Sequence, residues 1–175
     1  MAAAPPAWVL PHVLAVEGLA VAMARRADAR GHAVDVEQVS VGAVLHDVGR
    51  SEVQDLRHAP VGADLLRRPP PWPEPVCRIV ETHTGAGISP EEARAAGLPE
   101  RDYVPRSLEE RLVAHADNLF SGTRRVGLDE VVRRYGAGGL DAAARRIEGL
   151  HRGLCDLLDC DLDALEPVAL PAPSA

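Results

Sequence analysis

Val41-Gly42-Ala43-Val44-Leu45-His46-Asp47-Val48-Gly49-Arg50 is an apolar run that ends in an adjacent histidine and aspartate. Val36, Val39, Val41, Ala43, Val44 and Leu45 make the segment opened by Asp35 to Glu37 almost continuously apolar, which predicts a central, largely surrounded helix. Gly49 reads as its C-cap. A carboxylate at the inner end of such a helix is costly to bury unless something compensates. Imidazole beside carboxylate suits a divalent Fe, Mn, Co, Ni or Zn. Neighbouring helical positions point about 100° apart, so the pair is poorly built for one closed site, but a bridging Asp47 can serve one ion and share a second. Alone, the dipeptide reads more readily as a helix end with a solvated carboxylate, so the rest of the chain decides.

The chain has 175 residues, 46% of them apolar and only 3% aromatic, so a core must be made of Ala, Val and Leu. That composition favours helices, and no run alternates as a strand would. The length suits one domain. The formal charge is −7 and all 19 basic residues are arginine, which argues against an extended nucleic-acid surface or an anionic-membrane surface. A local arginine pocket for a small phosphorylated substrate stays open. Cys77, Cys155 and Cys160 have no CxxC spacing, so a reducing, cytoplasmic setting is expected. No apolar stretch approaches the ~20 residues of a membrane span.

Outward from the central run, a helix from about Pro11 to Gly31 carries Val13, Leu14, Val16, Leu19, Ala20 and Met23 as its stripe and His12 at its start. After the run, Arg50 stands where a guanidinium can grip phosphate. A short helix around Leu56 to Leu66 places His58 in or just before its first turn, and Gly62 one turn on lets another backbone approach. Beyond the break at Pro69 to Pro73, a helix over Glu74 to Glu81 delivers His83 into a glycine-containing turn, the same grammar as His46. A histidine complementing a helix dipole reads equally well there. Ser107-Leu108-Glu109-Glu110 is a capping box, and the helix it opens holds Asp117 within the apolar pattern of Leu112, Val113, Ala116 and Leu119. A buried aspartate there needs a charge partner. His115 points away from Asp117, and His32 and His151 are expected on the surface. Helices over Leu128 to Tyr135 and Leu140 to Leu158 read as packing, within residues 128–159. Residues 1–166 are expected to form one domain with its metal-binding core in 11–121, and 167–175 a flexible tail.

Collected in order, His12, His46, Asp47, His58, His83 and Asp117 are four imidazoles and two carboxylates on five helical segments. An early His, a His-Asp pair and a distant Asp resemble the HD-domain superfamily of metal-dependent phosphohydrolases, over about Pro11 to Ser121. His58-Ala59-Pro60-Val61-Gly62-Ala63 and Glu81-Thr82-His83-Thr84-Gly85 look like stretches of bacterial diadenosine tetraphosphate hydrolases of that superfamily. Gly97-Leu98-Pro99, Asp102-Tyr103-Val104-Pro105 and His115-Ala116-Asp117-Asn118-Leu119 resemble its small HDIG-type family. The resemblance implies an all-α, single-domain helical bundle with a metal site between central helices. It further implies one ion on His12, His46 and Asp117, a second on His58 and His83, Asp47 as bridge and catalytic ligand, and Arg50 as the group that binds substrate and stabilises charge on phosphorus. Fe or Mn is favoured, with Zn, Co, Ni or Mg as further choices. The expected reaction is hydrolysis of a phosphoester or phosphoanhydride of a nucleotide or small metabolite. The His-His-Glu and Gly-Tyr-Pro signatures of the cyclic-di-GMP phosphodiesterase branch are absent. The same ligand set also suits a mixed-valent di-iron oxygenase, and a non-catalytic nucleotide-binding module is a third reading. Substrate, metal number and oligomeric state are not legible from these residues.

Overall fold

The computed structural model describes residues 6–169. In chain order it contains α1 (Val9–Ala29), α2 (Val36–Leu45), a 3₁₀ helix (Val48–Ser51), α3 (His58–Leu66), α4 (Glu74–Thr82), α5 (Pro90–Ala95), α6 (Leu108–Asn118), β1 (Phe120–Ser121), β2 (Arg124–Arg125), α7 (Leu128–Ala137) and α8 (Asp141–Leu158). Among the described residues the fold is all-α apart from two isolated bridges and one hairpin, which pairs Phe120 with Arg125 and Ser121 with Arg124. Two residues per strand are too few for an alternating pattern to show in the sequence. Among the described residues no helix is long and apolar enough to cross a membrane.

The helix at the centre is α1, not α2. Val16, Leu19, Ala20, Met23, Ala24 and Ala27 are fully buried along it. It starts two residues before Pro11, which therefore sits in the first turn, where a missing N–H costs nothing. The same cluster takes Val39 and Ala43 from α2, Leu112, Val113 and Ala116 from α6, and Ile147, Leu154 and Leu158 from α8. Each fully buried branched side chain there contributes roughly 1.5–3 kcal/mol of transfer free energy. In α2 only Val39, Gly42 and Ala43 are buried. Its unbroken apolar sequence has another cause: Val41 and Leu45 turn to a second cluster built on Leu66, Val76, Cys77 and Val80. Two faces serving two clusters look, in sequence, like one surrounded helix.

Gly49 does not cap α2, whose C-cap is His46; it lies inside the 3₁₀ helix. A Cβ there would fall 2.0 Å from the His58 carbonyl oxygen and 2.6 Å from the Gly62 nitrogen. Gly62, in turn, faces the Gly49 nitrogen at 3.1 Å from its own would-be Cβ, so the expected close backbone approach at Gly62 is to Gly49. This contact brings the start of α3 against the segment that follows His46-Asp47.

Ser107 caps α6 by accepting from the Glu110 N–H, but Glu110 does not return the bond. Its carboxylate accepts from the Arg106 N–H at 3.1 Å and the Thr82 hydroxyl at 3.2 Å, tying α6 to the end of α4. The reciprocal capping box stands instead at Ser89 and Glu92. Ser107→Ala is expected to cost about 1 kcal/mol in urea unfolding; an unchanged midpoint would show that the cap contributes nothing. Two residues before His83, buried Glu81 accepts from Arg67 at 3.0 Å and Arg101 at 2.9 Å. Burial pushes the Glu81 carboxyl up, but these two guanidiniums outweigh it and hold it below the usual range.

The chain after Glu166 is anchored where it begins. Val168 N–H donates to the Gly18 carbonyl at 3.0 Å, and Gly18 has no side chain to obstruct it. Residues 170–175, the remainder of the expected flexible tail, lie outside the described residues.

Candidate metal centre

Each of the six side chains singled out in the sequence lies at or near a helix end, and the fold brings the ends together. His12 lies in the first turn of α1, His46 is the C-cap of α2 with Asp47 following, His58 opens α3, His83 is the C-cap of α4, and Asp117 is in the last turn of α6. Asp117 is thus terminal in its helix rather than central. The last carbonyls of a helix lack intrahelical partners, and the imidazoles exploit this. His46 Nδ1 donates to the Ala43 carbonyl and His83 Nδ1 to the Val80 carbonyl, both at 2.7 Å and both three residues back. His58 Nδ1 does the same to Asp55 at 2.7 Å. His12 Nδ1 donates to the Gly122 carbonyl at 2.8 Å, which is the structural use of the small hairpin. All four rings are therefore held with Nε2 turned inward.

The Nε2 atoms meet the two carboxylates in two groups. His58 Nε2 and His83 Nε2 are 3.0 Å apart, and Asp47 Oδ1 lies 3.2 Å from the first and 3.8 Å from the second. On the other side, His12 Nε2 and His46 Nε2 are 3.3 Å apart, with Asp117 Oδ1 at 3.1 and 3.7 Å and Asp47 Oδ2 at 3.9 and 3.8 Å. Asp47 presents one oxygen to each group.

Burial pushes the His83 imidazole down to about 3, and His46 and His58 push the same way. Burial also lowers His58, with Arg50 adding to it. Two neutral rings that both donate from Nδ1 must face one another with Nε2 lone pairs, and Asp47 Oδ1, buried without a hydrogen-bond partner, adds a third acceptor. Acceptors converging in this way, with only Arg50 Nη2 at 3.3 Å from His58 Nε2 to donate among them, are unfavourable unless a further cation joins them. Ligand atoms at ~2.1 Å from one ion are about 3–3.5 Å apart, so the donor set and its spacing fit a divalent metal. His12 behaves differently: burial would lower it, but the hydrogen bond to Asp117 and that carboxylate's charge outweigh this and raise it. Burial likewise works against the Asp47 carboxylate, yet its surroundings, His46 and His83 first and the Arg50 guanidinium after them, hold it below the ordinary range.

Arg50 reaches further in than the mouth of the site. Its Nε is 2.7 Å from Asp47 Oδ2 in an ion pair without hydrogen-bond geometry, and its Nη2 donates to His58 Nε2 at 3.3 Å. The guanidinium also packs over Trp8, 5.3 Å from the ring centroid. A cleft of about 340 Å³ opens onto the cluster, lined by Arg50, His58, His83, Asp117, Asn118 and Tyr135.

The family match spans residues 9–121, described as HD domain, and takes in His12, the His46-Asp47 pair and Asp117. This chain belongs to the HD-domain family. Among its relatives, an uncharacterized protein of Methanocaldococcus jannaschii is 46% identical over 127 residues, which is 73% of this chain and 75% of that protein. A tRNA (cytidine(56)-2'-O)-methyltransferase of Thermoplasma volcanium is 47% identical over 158 residues, 90% of this chain but 45% of that protein. The chain thus spans less than half the length of that methyltransferase. A solved HD domain of the L. monocytogenes phosphodiesterase PgpH aligns with 87% of this chain and 92% of its own, at 18% identity and a TM-score of 0.46.

Three histidines lie outside the HD cluster. His115 and His151 are both buried, and His115 Nε2 is 3.1 Å from His151 Nδ1. His151 is therefore not a surface residue; it falls on the α8 seam with Ile147 and Leu154, and its polarity hid that periodicity. His32 is half-buried and donates to the Leu157 carbonyl at 3.1 Å. Asp161 and Asp163 approach His151, but Asp163 is occupied in capping the N–H of Leu128 at 3.1 Å. Thr84, Asn118 and Tyr135 also line the cleft, though nothing in the sequence marks them as site residues on their own. Asn118 Nδ2 donates to the Gly85 carbonyl at 2.8 Å and so fixes the turn that follows His83. Its position beside Asp117 was the one available signal.

Proposed function

We propose that this chain is a metal-dependent phosphohydrolase that holds two divalent ions, one on His12, His46 and Asp117 and one on His58 and His83, with Asp47 bridging. The observation that carries this reading is the pair of acceptor groups around Asp47, one at each of its oxygens, with His58 and His83 facing each other at 3.0 Å. Imidazole and carboxylate donors of this kind favour Fe or Mn, with Zn, Co, Ni or Mg as other choices. When bound, such ions supply Lewis acidity, which acidifies water and neutralises charge on phosphoryl oxygens.

The chain's own residues do the rest. The backbone carbonyls fix the imidazoles in one tautomer, so no reorganisation is needed when the site is used. Arg50 lines the cleft with its guanidinium next to Asp47, where it binds a phosphoryl oxygen and stabilises charge developing there. The substrate is a small phosphoester or phosphoanhydride, in keeping with a cleft that admits one such group. The methyltransferase name of the Thermoplasma relative belongs to a chain about twice as long, and its methyl transfer is not assigned to this domain.

Elemental analysis of protein purified without tag or added metal is expected to find about two Fe or Mn per chain, falling to about one in His83→Ala. The loaded protein is expected to release phosphate from small phosphoesters under nitrogen, which an oxygenase would not do. Failure to take up any divalent metal on loading would overturn the proposal.

A further inference from the structure

Trp8 stands at the N-cap of α1, one residue before the family match begins. A large aromatic is unusual there, because N-caps are ordinarily small polar residues whose side-chain oxygen accepts a helix N–H. Trp8 makes no such bond, and with 48% of its surface exposed it adds little to the core. Neither capping nor burial accounts for it. Its place one turn before His12 brings the ring to the cluster side of the helix. The Trp8 and His12 ring centroids are 6.3 Å apart, with the planes tilted by 53°. Leu10, which is 61% exposed, lies two positions on and so points to another side, which separates Trp8 from that apolar surface.

Besides His12, the ring meets Arg50. The guanidinium carbon lies 5.3 Å from the indole centroid, within the range in which a cation is drawn to the face of an aromatic ring. Arg50 needs such support. It grows from a four-residue 3₁₀ helix, its Nε is buried without a hydrogen-bond partner, and its contact with Asp47 is an ion pair lacking hydrogen-bond geometry. The bond from Nη2 to His58 Nε2, at 3.3 Å, is long. Asp47 and His58 both belong to the metal cluster, so ions held there compete for the same lone pairs and repel the guanidinium. Among the described residues, the indole face alone offers Arg50 an attraction that such ions do not oppose.

We propose that Trp8 is a positioning residue: its indole face holds the Arg50 guanidinium at the wall of the cleft, turned to meet a phosphoryl oxygen. The proposal rests on the reading of Arg50 as the phosphoryl-binding group beside a two-ion cluster, and it adds a residue that the matched region does not contain. Trp8 touches no reacting atom. Its contribution passes through Arg50, as preorganisation of a charge that is otherwise poorly held, so it is present only when both side chains are.

Trp8→Phe, Trp8→Leu and Trp8→Ala, each made in the wild type and in Arg50→Ala, form a set of double-mutant cycles. Two readouts on metal-loaded protein are the affinity for inorganic phosphate by calorimetry, which needs no turnover, and kcat/KM for phosphoester hydrolysis. Trp8→Ala and Trp8→Leu are expected to weaken phosphate binding by about three- to tenfold and to lower kcat/KM by as much or more, with metal content unchanged. Trp8→Phe keeps an aromatic face and is expected to recover most of the loss, whereas leucine keeps only bulk. In Arg50→Ala the same changes at residue 8 are expected to alter neither readout. Trp72→Phe leaves Trp8 as the sole tryptophan, and its emission is then expected to shift when Arg50 is replaced by alanine, which reads the contact directly. Losses that persist undiminished in Arg50→Ala, equal values for the leucine and phenylalanine variants, or no phosphate binding by the loaded wild type would overturn the proposal. Should the loaded protein hydrolyse no ester while the phosphate cycle behaves as described, the hydrolase reading falls and the positioning role stands.

Discussion

Asp47→Ala is expected to leave the helical fold intact while removing metal from both groups and lowering phosphoester hydrolysis by about 10³-fold or more, the scale of losing a main stabiliser of transition-state charge. The reason is the division of its carboxylate. Oδ2 lies 3.8 Å from His46 Nε2 and 2.7 Å from Arg50 Nε, while Oδ1 lies 3.2 Å from His58 Nε2. Among the described residues no other carboxylate comes within 4 Å of imidazole nitrogens on both sides; Asp117 does so to His12 and His46, with His83 farther off but within 4.8 Å. His83→Ala removes a ligand from one side, so the two variants differ in kind, and elemental analysis with circular dichroism separates them. Removing a buried charge that opposes Arg50 also leaves that guanidinium unpaired, so some loss of thermal stability accompanies the loss of metal. If Asp47→Ala keeps its full complement of ions, Asp47 is not the bridge.

Gly49→Ala is expected to destabilise the protein by about 3 kcal/mol or more, a large effect for a single methyl group. The new Cβ would overlap the His58 carbonyl oxygen at 2.0 Å and the Gly62 nitrogen at 2.6 Å, and both are backbone atoms with no rotamer to change. Relief requires α3 to move away from the 3₁₀ helix, which carries His58 away from Asp47. Stability and metal content should therefore fall together. Gly149→Ala is the control: it lies within α8 with nothing within 4 Å of its would-be Cβ, and is expected to stabilise by about 0.5–1 kcal/mol. Urea unfolding of the two variants beside the wild type checks both signs; a Gly49→Ala midpoint equal to that of the wild type would refute the close-contact account.

Much of the candidate site is legible in the sequence because its side chains sit at helix ends, and helix ends are written locally. His46 and His83 each follow an apolar helical run and precede a turn, a pattern that needs only neighbours in sequence to recognise. Arg50 was legible as a residue near the site but not as one inserted into it, since its contact with Asp47 depends on how the 3₁₀ helix turns. His151 was misplaced for the opposite reason. A histidine on an otherwise apolar seam reads as a surface residue until a second buried histidine, His115, is found opposite it at 3.1 Å.

Helical class, the segments that become helices and the identity of the six chemically distinctive residues were determined by the sequence alone, because propensity, periodicity and capping act over a few neighbouring residues. Only the tertiary structure decided that α1 rather than α2 is central, that Gly49 is a point of backbone contact, and that α7 and α8 wall a chamber next to the metal cleft. Those features depend on which surfaces meet across long stretches of chain. An apolar run records that a face is buried, not against what, and a glycine records that space is scarce, not which backbone fills it.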